Sequence, residues 1–185
     1  QPCVTQPDNV AMAPTRRPLL LTMGDACGIG PEIIVRAFQR GAAEGCVVVG
    51  DMAVMRRAMV LMPEPWPLAR LDTPRDVAAC PPRCLPLWQP DGLPVGLDRL
   101  PWGTVDACAG AAAAACIEAA VRAVQHGDAV GMVTAPLHKA ALAAAGVPYP
   151  GHTEMLQALS AAPGAAPPGH GAPLGVVPKG CAWCW

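Results

Sequence analysis

The amino-acid sequence predicts an α/β fold: a three-layer α/β/α arrangement around a parallel-type sheet. Two observations predict it. Short unbroken apolar runs, such as Leu19-Leu20-Leu21 and Cys46-Val47-Val48-Val49, are each followed by a glycine turn and then by a stretch of helical period. Strands buried on both faces read as continuous hydrophobic runs, and their alternation with helices marks a parallel sheet. Composition agrees. Of 185 residues, 52% are hydrophobic and 15% charged, ample for a core and too apolar for a disordered chain.

Along the chain, residues 1–16 read as an unstructured leader and 17–160 as the folded region. Pro18 to Met23 is the first buried strand. Gly24 to Gly30 forms a loop, and Pro31 then sits where a helix starts, because its missing N–H costs nothing there. Glu32 suits the helix dipole in the first turn. Ile33, Ile34, Ala37 and Phe38 recur at helical spacing, and Gly41 closes the helix. Cys46 to Val49 is the second strand. Gly50-Asp51 and a helix over Met52 to Met62 follow. Pro63 to Pro101 is rich in proline and is expected to hold one or two edge strands plus loops.

An Ala-rich helix spans Thr104 to His126, with Glu118 and Arg122 paired at i,i+4 and Gly127 as its end signal. Ala129 to Thr134 is the next strand. Ala135-Pro136 breaks it, His138 to Ala145 is a short helix ended by Gly146, and Gly151 opens a last helix through Leu159. Residues 161–185 lose any period and become rich in Pro, Gly and Ala. The two readings of this tail are a natural domain boundary and a frameshifted end; the second is the expectation.

Several function classes fall away. The chain carries 13 basic and 14 acidic residues, net −1, so no basic surplus exists to drive nucleic-acid binding. The longest apolar run, Ala107 to Val124, contains Glu118 and Arg122, so it does not read as a membrane span. The first residues have no basic region followed by an apolar stretch, so no secretory signal is expected. Nine Cys, an odd count, favour reduced thiols. Cys46, Cys108 and Cys116 sit singly among Ala and Val, where a Cys acts as a small apolar residue. Cys80-x3-Cys84 and Cys181-x2-Cys184 could be two halves of a zinc site, but unequal spacing and a Pro-rich context favour unconnected thiols.

Three blocks carry chemistry. The first is Thr22-Met23-Gly24-Asp25-Ala26-Cys27-Gly28-Ile29-Gly30-Pro31-Glu32. Three glycines between strand and helix either cradle an anionic group on free helix N–H groups or make a sharp turn. The Gly-x3-Gly-x-Gly spacing is not the fingerprint of dinucleotide folds. The second block is Thr134-Ala135-Pro136-Leu137-His138-Lys139, at a strand's C-terminal end, the edge where parallel sheets hold ligands. Lys139 could meet a phosphate or carboxylate, or be a solvated helix-start lysine; His138 reads as structural. The third is Tyr149-Pro150-Gly151-His152-Thr153-Glu154. Thr153 is a plausible N-cap, and His152 projecting from a loop beside a hydroxyl suits a phosphorylated or hydroxylated substrate. A capping box with an incidental His is the plainer alternative.

Together, in order and spacing, the blocks resemble the 4-hydroxythreonine-4-phosphate dehydrogenase family over roughly Arg17 to Leu159. The family usually reads Pro-Ala where this chain has Ala26-Cys27. The resemblance implies an isocitrate/isopropylmalate dehydrogenase-like fold, truncated here, in a cytoplasmic homodimer. It implies NAD-dependent oxidation and decarboxylation of 4-phosphooxy-L-threonine, a small phosphorylated hydroxy amino acid, to 3-amino-2-oxopropyl phosphate in vitamin B6 synthesis. A divalent metal (zinc, magnesium or cobalt) held by histidines would polarise the alcohol and stabilise the enolate. By the motif match, His152 and Thr153 correspond to substrate-contacting residues; Asp25 and Lys139 lie in matching motifs without an assigned role.

The family's metal-binding histidines are implied to lie downstream of Gly151-His152-Thr153-Glu154. There the chain offers His170, in a context that matches no metal motif, so metal ligands are expected to be absent and activity impaired. Related readings are a threonate or erythronate 4-phosphate dehydrogenase, a phosphate acyltransferase, and a non-catalytic remnant.

Overall fold

The computed structural model describes residues 17–161; the leader (1–16) and the tail beyond Ala161, with His170, Cys181 and Cys184, lie outside the described residues. Among the described residues, β1 (Leu19–Thr22), β2 (Cys46–Val49), β3 (Leu68–Leu71), β4 (Leu85–Trp88) and β5 (Gly131–Thr134) form one sheet in the order β3-β4-β2-β1-β5. Every neighbouring pair is parallel, and Thr22 lies level with Val49 and with Thr134. The helices are α1 (Gly30–Gln39), α2 (Met52–Val60), α3 (Ala107–Gln125), α4 (Lys139–Ala144) and α5 (His152–Ser160), with short 3-10 turns at Pro74–Ala79 and Leu97–Arg99.

From β1 through β2 to β3 the chain steps one way across the sheet, and from β3 through β4 to β5 it steps back. Right-handed crossovers therefore put α1 and α2 on one face and the Pro74–Ala79 turn with α3 on the other. Packing agrees: α1 lies against α2, while α3 covers β1, β2 and β5 and touches α4 and α5. This is the three-layer fold that the alternation predicted. Its centre is β2, buried along its whole length, and Leu20, Leu85 and Leu87 join it between Val35 and Met55 of one layer and Ile117 and Ala120 of the other.

Helix starts follow their caps. The Asp51 side chain accepts from the Val54 N–H at 2.9 Å and opens α2. The Asp106 carboxylate accepts from Cys108 N–H at 2.7 Å and Ala109 N–H at 3.3 Å, so α3 begins at Ala107 rather than at Thr104. Each such cap stabilises by about 1 kcal/mol. By length and composition α3 alone, among the described residues, is long and apolar enough to cross a membrane, yet 61% of its apolar 18-residue stretch is buried inside this fold. Glu118 and Arg122 pair along it at 3.8 Å, as the i,i+4 spacing predicted.

The Pro-rich region departs from expectation. It holds two strands, but only β3 is at the edge; β4 is interior, between β3 and β2. Pro86 sits in β4 without an N–H to donate. The strand pairs with β3 along Leu85–Trp88 but with β2 only at Leu87 and Trp88. A proline thus entered an interior strand where one ladder is short.

Candidate functional site

The first two blocks meet at the C-terminal edge of the neighbouring strands β1 and β5. The Ala135 N–H donates to the Thr22 carbonyl at 3.2 Å, and the Asp25 N–H donates to the Pro136 carbonyl at 3.1 Å. Gly24 has φ +72°, and a Cβ built on it would stand 2.5 Å from the Pro136 carbonyl oxygen. On Gly30 a Cβ would lie 2.5 Å from the Met23 carbonyl and 3.2 Å from Ala135 Cβ. These glycines are therefore occupied by the protein's own backbone. The close packing at Gly24 and Gly30 is what the sharp-turn reading of the loop asks for.

Asp25 now has a role within that loop. It is buried, its carboxylate accepts from the Cys27 N–H at 2.9 Å, and its carbonyl accepts from the Gly28 N–H at 3.0 Å. It shapes the turn. Arg57 of α2 fastens the same loop from outside: its guanidinium donates to the Ala26 carbonyl at 2.6 Å, Asp98 at 2.6 Å and Leu100 at 2.8 Å. Its head lies 4.0 Å from the Trp102 ring centroid, and its Nε is buried without a partner. The Gly103 N–H closes the cover onto the Cys27 carbonyl at 2.8 Å. Burial raises the Cys27 thiol pKa against the opposing hydrogen bond from Thr104.

The second and third blocks meet at Lys139. It is the first residue of α4, follows the exposed N-cap His138, and is itself exposed. A Cβ on Gly151 would lie 3.4 Å from Lys139 Cε and 3.1 Å from Glu154 Oε2. The start of α5 thus stands beside the lysine. Gly151, not Thr153, is the N-cap; Thr153 lies inside the first turn, so the capping expectation is corrected. With Gly151 extended as the cap, the helix begins at His152, earlier than a Thr153 cap would allow. This frees the Thr153 hydroxyl, which is exposed, while His152 is half-buried and Met155 anchors the helix in the core. α4 is held in turn by α3: Gly110 lacks the Cβ that would overlap the Ala141 carbonyl.

A family model described as pyridoxal phosphate biosynthetic protein PdxA matches residues 42–167. The chain belongs to this family. It is 41% identical over 141 residues to 4-hydroxythreonine-4-phosphate dehydrogenase of Beijerinckia indica, covering 75% of this chain and 40% of that relative. It is 39% identical over 145 residues to D-threonate 4-phosphate dehydrogenase of Pectobacterium atrosepticum, covering 77% and 44%. Among solved structures, 4-hydroxythreonine-4-phosphate dehydrogenase of Klebsiella pneumoniae superposes with a TM-score of 0.69 at 37% identity, over 78% of this chain and 44% of that one. The chain thus spans less than half the length of the PdxA relatives it matches.

The motifs shared with PdxA do not bring a metal-ligand set together in the described part. No group of three or more His, Cys, Asp or Glu able to hold a metal ion occurs among the described residues. Pro136 and Ala135 pack against Gly24 and Gly30 of the loop, and the first turn of α1 carries Glu32, paired with Arg36 at 2.6 Å. A carboxylate there opposes a pyrophosphate. The described residues form no metal-ligand set. What remains is the corner where Lys139 meets Gly151, with Glu154 at its side and His152 and Thr153 next along the chain. Two clefts of about 500 and 350 Å³ lie elsewhere, the first lined by Trp66 and Arg83, the second by Trp88 and His126.

Proposed function

We propose that the described part of this chain is the substrate-binding half of an NAD-dependent dehydrogenase acting on four-carbon acids that carry a 4-phosphate. The observation that carries the proposal is the approach of the Lys139 side chain to Gly151, the turn that His152 and Thr153 follow directly. Ammonium, imidazole and hydroxyl groups recognise phosphate and carboxylate oxygens by charge-assisted hydrogen bonds. Lys139 and His152 supply charge and direction, and Thr153 supplies a hydroxyl donor.

The substrate proposed first is 4-phosphooxy-L-threonine, oxidised and decarboxylated to 3-amino-2-oxopropyl phosphate in vitamin B6 synthesis, by a cytoplasmic homodimer. Its C2 ammonium suits the Glu154 carboxylate beside Gly151. The second reading is D-threonate 4-phosphate, which has a hydroxyl at C2; relatives bearing that activity's name are 39% and 36% identical. Because the described residues assemble no metal ligands, their proposed task is to bind and orient rather than to turn substrate over.

The test is calorimetric titration of the purified chain with each phosphorylated acid. Binding that weakens about tenfold in His152→Ala, a change of about 1.4 kcal/mol, supports the proposal. Binding indifferent to His152→Ala and Thr153→Ala overturns it. Robust NADH production by this chain with NAD, zinc or magnesium, and substrate overturns the restriction to binding.

A further inference from the structure

The segment Cys80-Pro81-Pro82-Arg83-Cys84 joins the Pro74–Ala79 turn to β4, at the sheet edge opposite the Lys139 corner. Two prolines stiffen it, and Arg83 has φ +56°, the left-handed region that a non-glycine residue rarely enters. Arg83 is tied outward to Glu64 at 3.0 Å. The reversal folds the segment onto itself. Cys80 Sγ lies 3.8 Å from the Cys84 carbonyl oxygen, so the first thiol sits against the backbone of the second. Cys84 Sγ donates to the Pro67 carbonyl at 3.1 Å. Both residues are partly exposed, whereas Cys27, Cys46 and Cys116 are buried.

We propose that Cys80 and Cys84 are a redox-active dithiol, closed to an intramolecular disulfide by exchange with a low-molecular-weight disulfide. The arrangement has what exchange requires: two cysteines drawn together by a tight reversal of the chain, with the Cys80 sulfur against the Cys84 backbone and both partly open to solvent. A metal role is not favoured, since the pair brings two sulfurs and no third ligand among the described residues.

The step balances. The Cys84 thiolate attacks one sulfur of the small disulfide, whose S–S bond breaks and releases one small thiolate. The deprotonated Cys80 then attacks Cys84 Sγ in the mixed disulfide and expels the second small thiolate. Two protein thiols are oxidised, one small disulfide is reduced to two thiols, and the released protons pass to those thiolates or to solvent. Burial first, and then the neighbouring Cys84, push the Cys80 thiol up to about 11. A thiol this reluctant to ionise is a poor leaving group, which favours the closed form.

The proposal does not depend on substrate binding, and its test uses none. The reduced full chain is incubated with oxidised glutathione, alkylated with iodoacetamide, denatured and cut with trypsin. Trypsin cleaves after Arg83, between the two cysteines, so the disulfide holds two peptides together. We expect the joined peptides, lighter by two hydrogens, with the alkylated forms of both falling about tenfold together and returning on reduction. Cys84→Ser should leave Cys80 alkylated or as a glutathione mixed disulfide. The proposal is overturned if Cys80 and Cys84 remain alkylated in the wild-type chain, or if either is found joined to Cys181 or Cys184 instead.

Discussion

The Arg57 guanidinium stacks 4.0 Å from the centre of the Trp102 ring while its two terminal nitrogens reach three backbone carbonyls. One side chain of α2 thereby ties the glycine loop at Ala26 to the Asp98–Leu100 segment. A planar fork does this; a point charge does not. Arg57→Lys is therefore expected to lower stability by about 2 kcal/mol and the unfolding midpoint by about 4–8 °C. Urea and thermal denaturation measure it, and a variant as stable as wild type would remove the clamp from the account.

Gly24 and Gly41 separate two contributions. Both have positive φ, but nothing lies within 4 Å of a Cβ on Gly41, whereas on Gly24 it meets the Pro136 carbonyl. Gly41→Ala should cost about 1 kcal/mol, the left-handed penalty alone. Gly24→Ala should cost that plus about 1–3 kcal/mol of overpacking. Equal costs in denaturant titrations would mean that the two loops do not press on each other.

Gly110→Ala tests the seat of α4. The added methyl overlaps the Ala141 carbonyl and must push α4 off α3. Since Lys139 begins α4, the substitution should weaken binding of the phosphorylated acid as well as destabilise the fold by about 1–3 kcal/mol. Unchanged affinity in the folded fraction would detach Lys139 from the proposed site.

Alkaline pH should weaken the fold through Cys116. Burial, with a further push from the Asp51 carboxylate, raises its thiol from 9.0 to about 12 in the folded state. The unfolded chain therefore sheds this proton first. The stabilisation is whole below pH 9 and is lost as pH climbs from there towards 12, at about 1.4 kcal/mol per unit. Urea unfolding from pH 8 upward should fall more steeply for the wild-type chain than for Cys116→Ala. Matching slopes would place the alkaline loss on other groups.

Most elements were legible because their causes are local. The apolar runs of β1, β2 and β5, Pro31 at the start of α1, and the Glu118–Arg122 pair all act within a few residues of themselves. β4 was hidden by Pro86, whose cost depends on which neighbour it faces, and that is a property of the sheet. Thr153 looked like a cap because its hydroxyl could serve as one, but the extended Gly151 starts the helix sooner. Arg57 gave no signal: its partners are carbonyls, which every residue has, and they lie 31 to 43 positions away. Among the candidate residues, the meeting of Lys139 with Gly151 needed the third dimension, since α3 is what seats α4. Asp25 sat in a recognisable motif, yet only its bond to the Cys27 N–H shows it working as a turn-former.

The seams at Gly24 against Pro136 and at Gly110 against Ala141 leave no side chain to act as a shim. Slack that a long residue could take up by changing rotamer does not exist there, so a displacement at one face is handed on whole to the next. If the proposed acid binds at this corner, retuning which one is accepted is then a matter for the residues at its rim. Exchanging Thr153 or Glu154 alters what the ligand meets, while any bulk added at the seams shifts the frame itself.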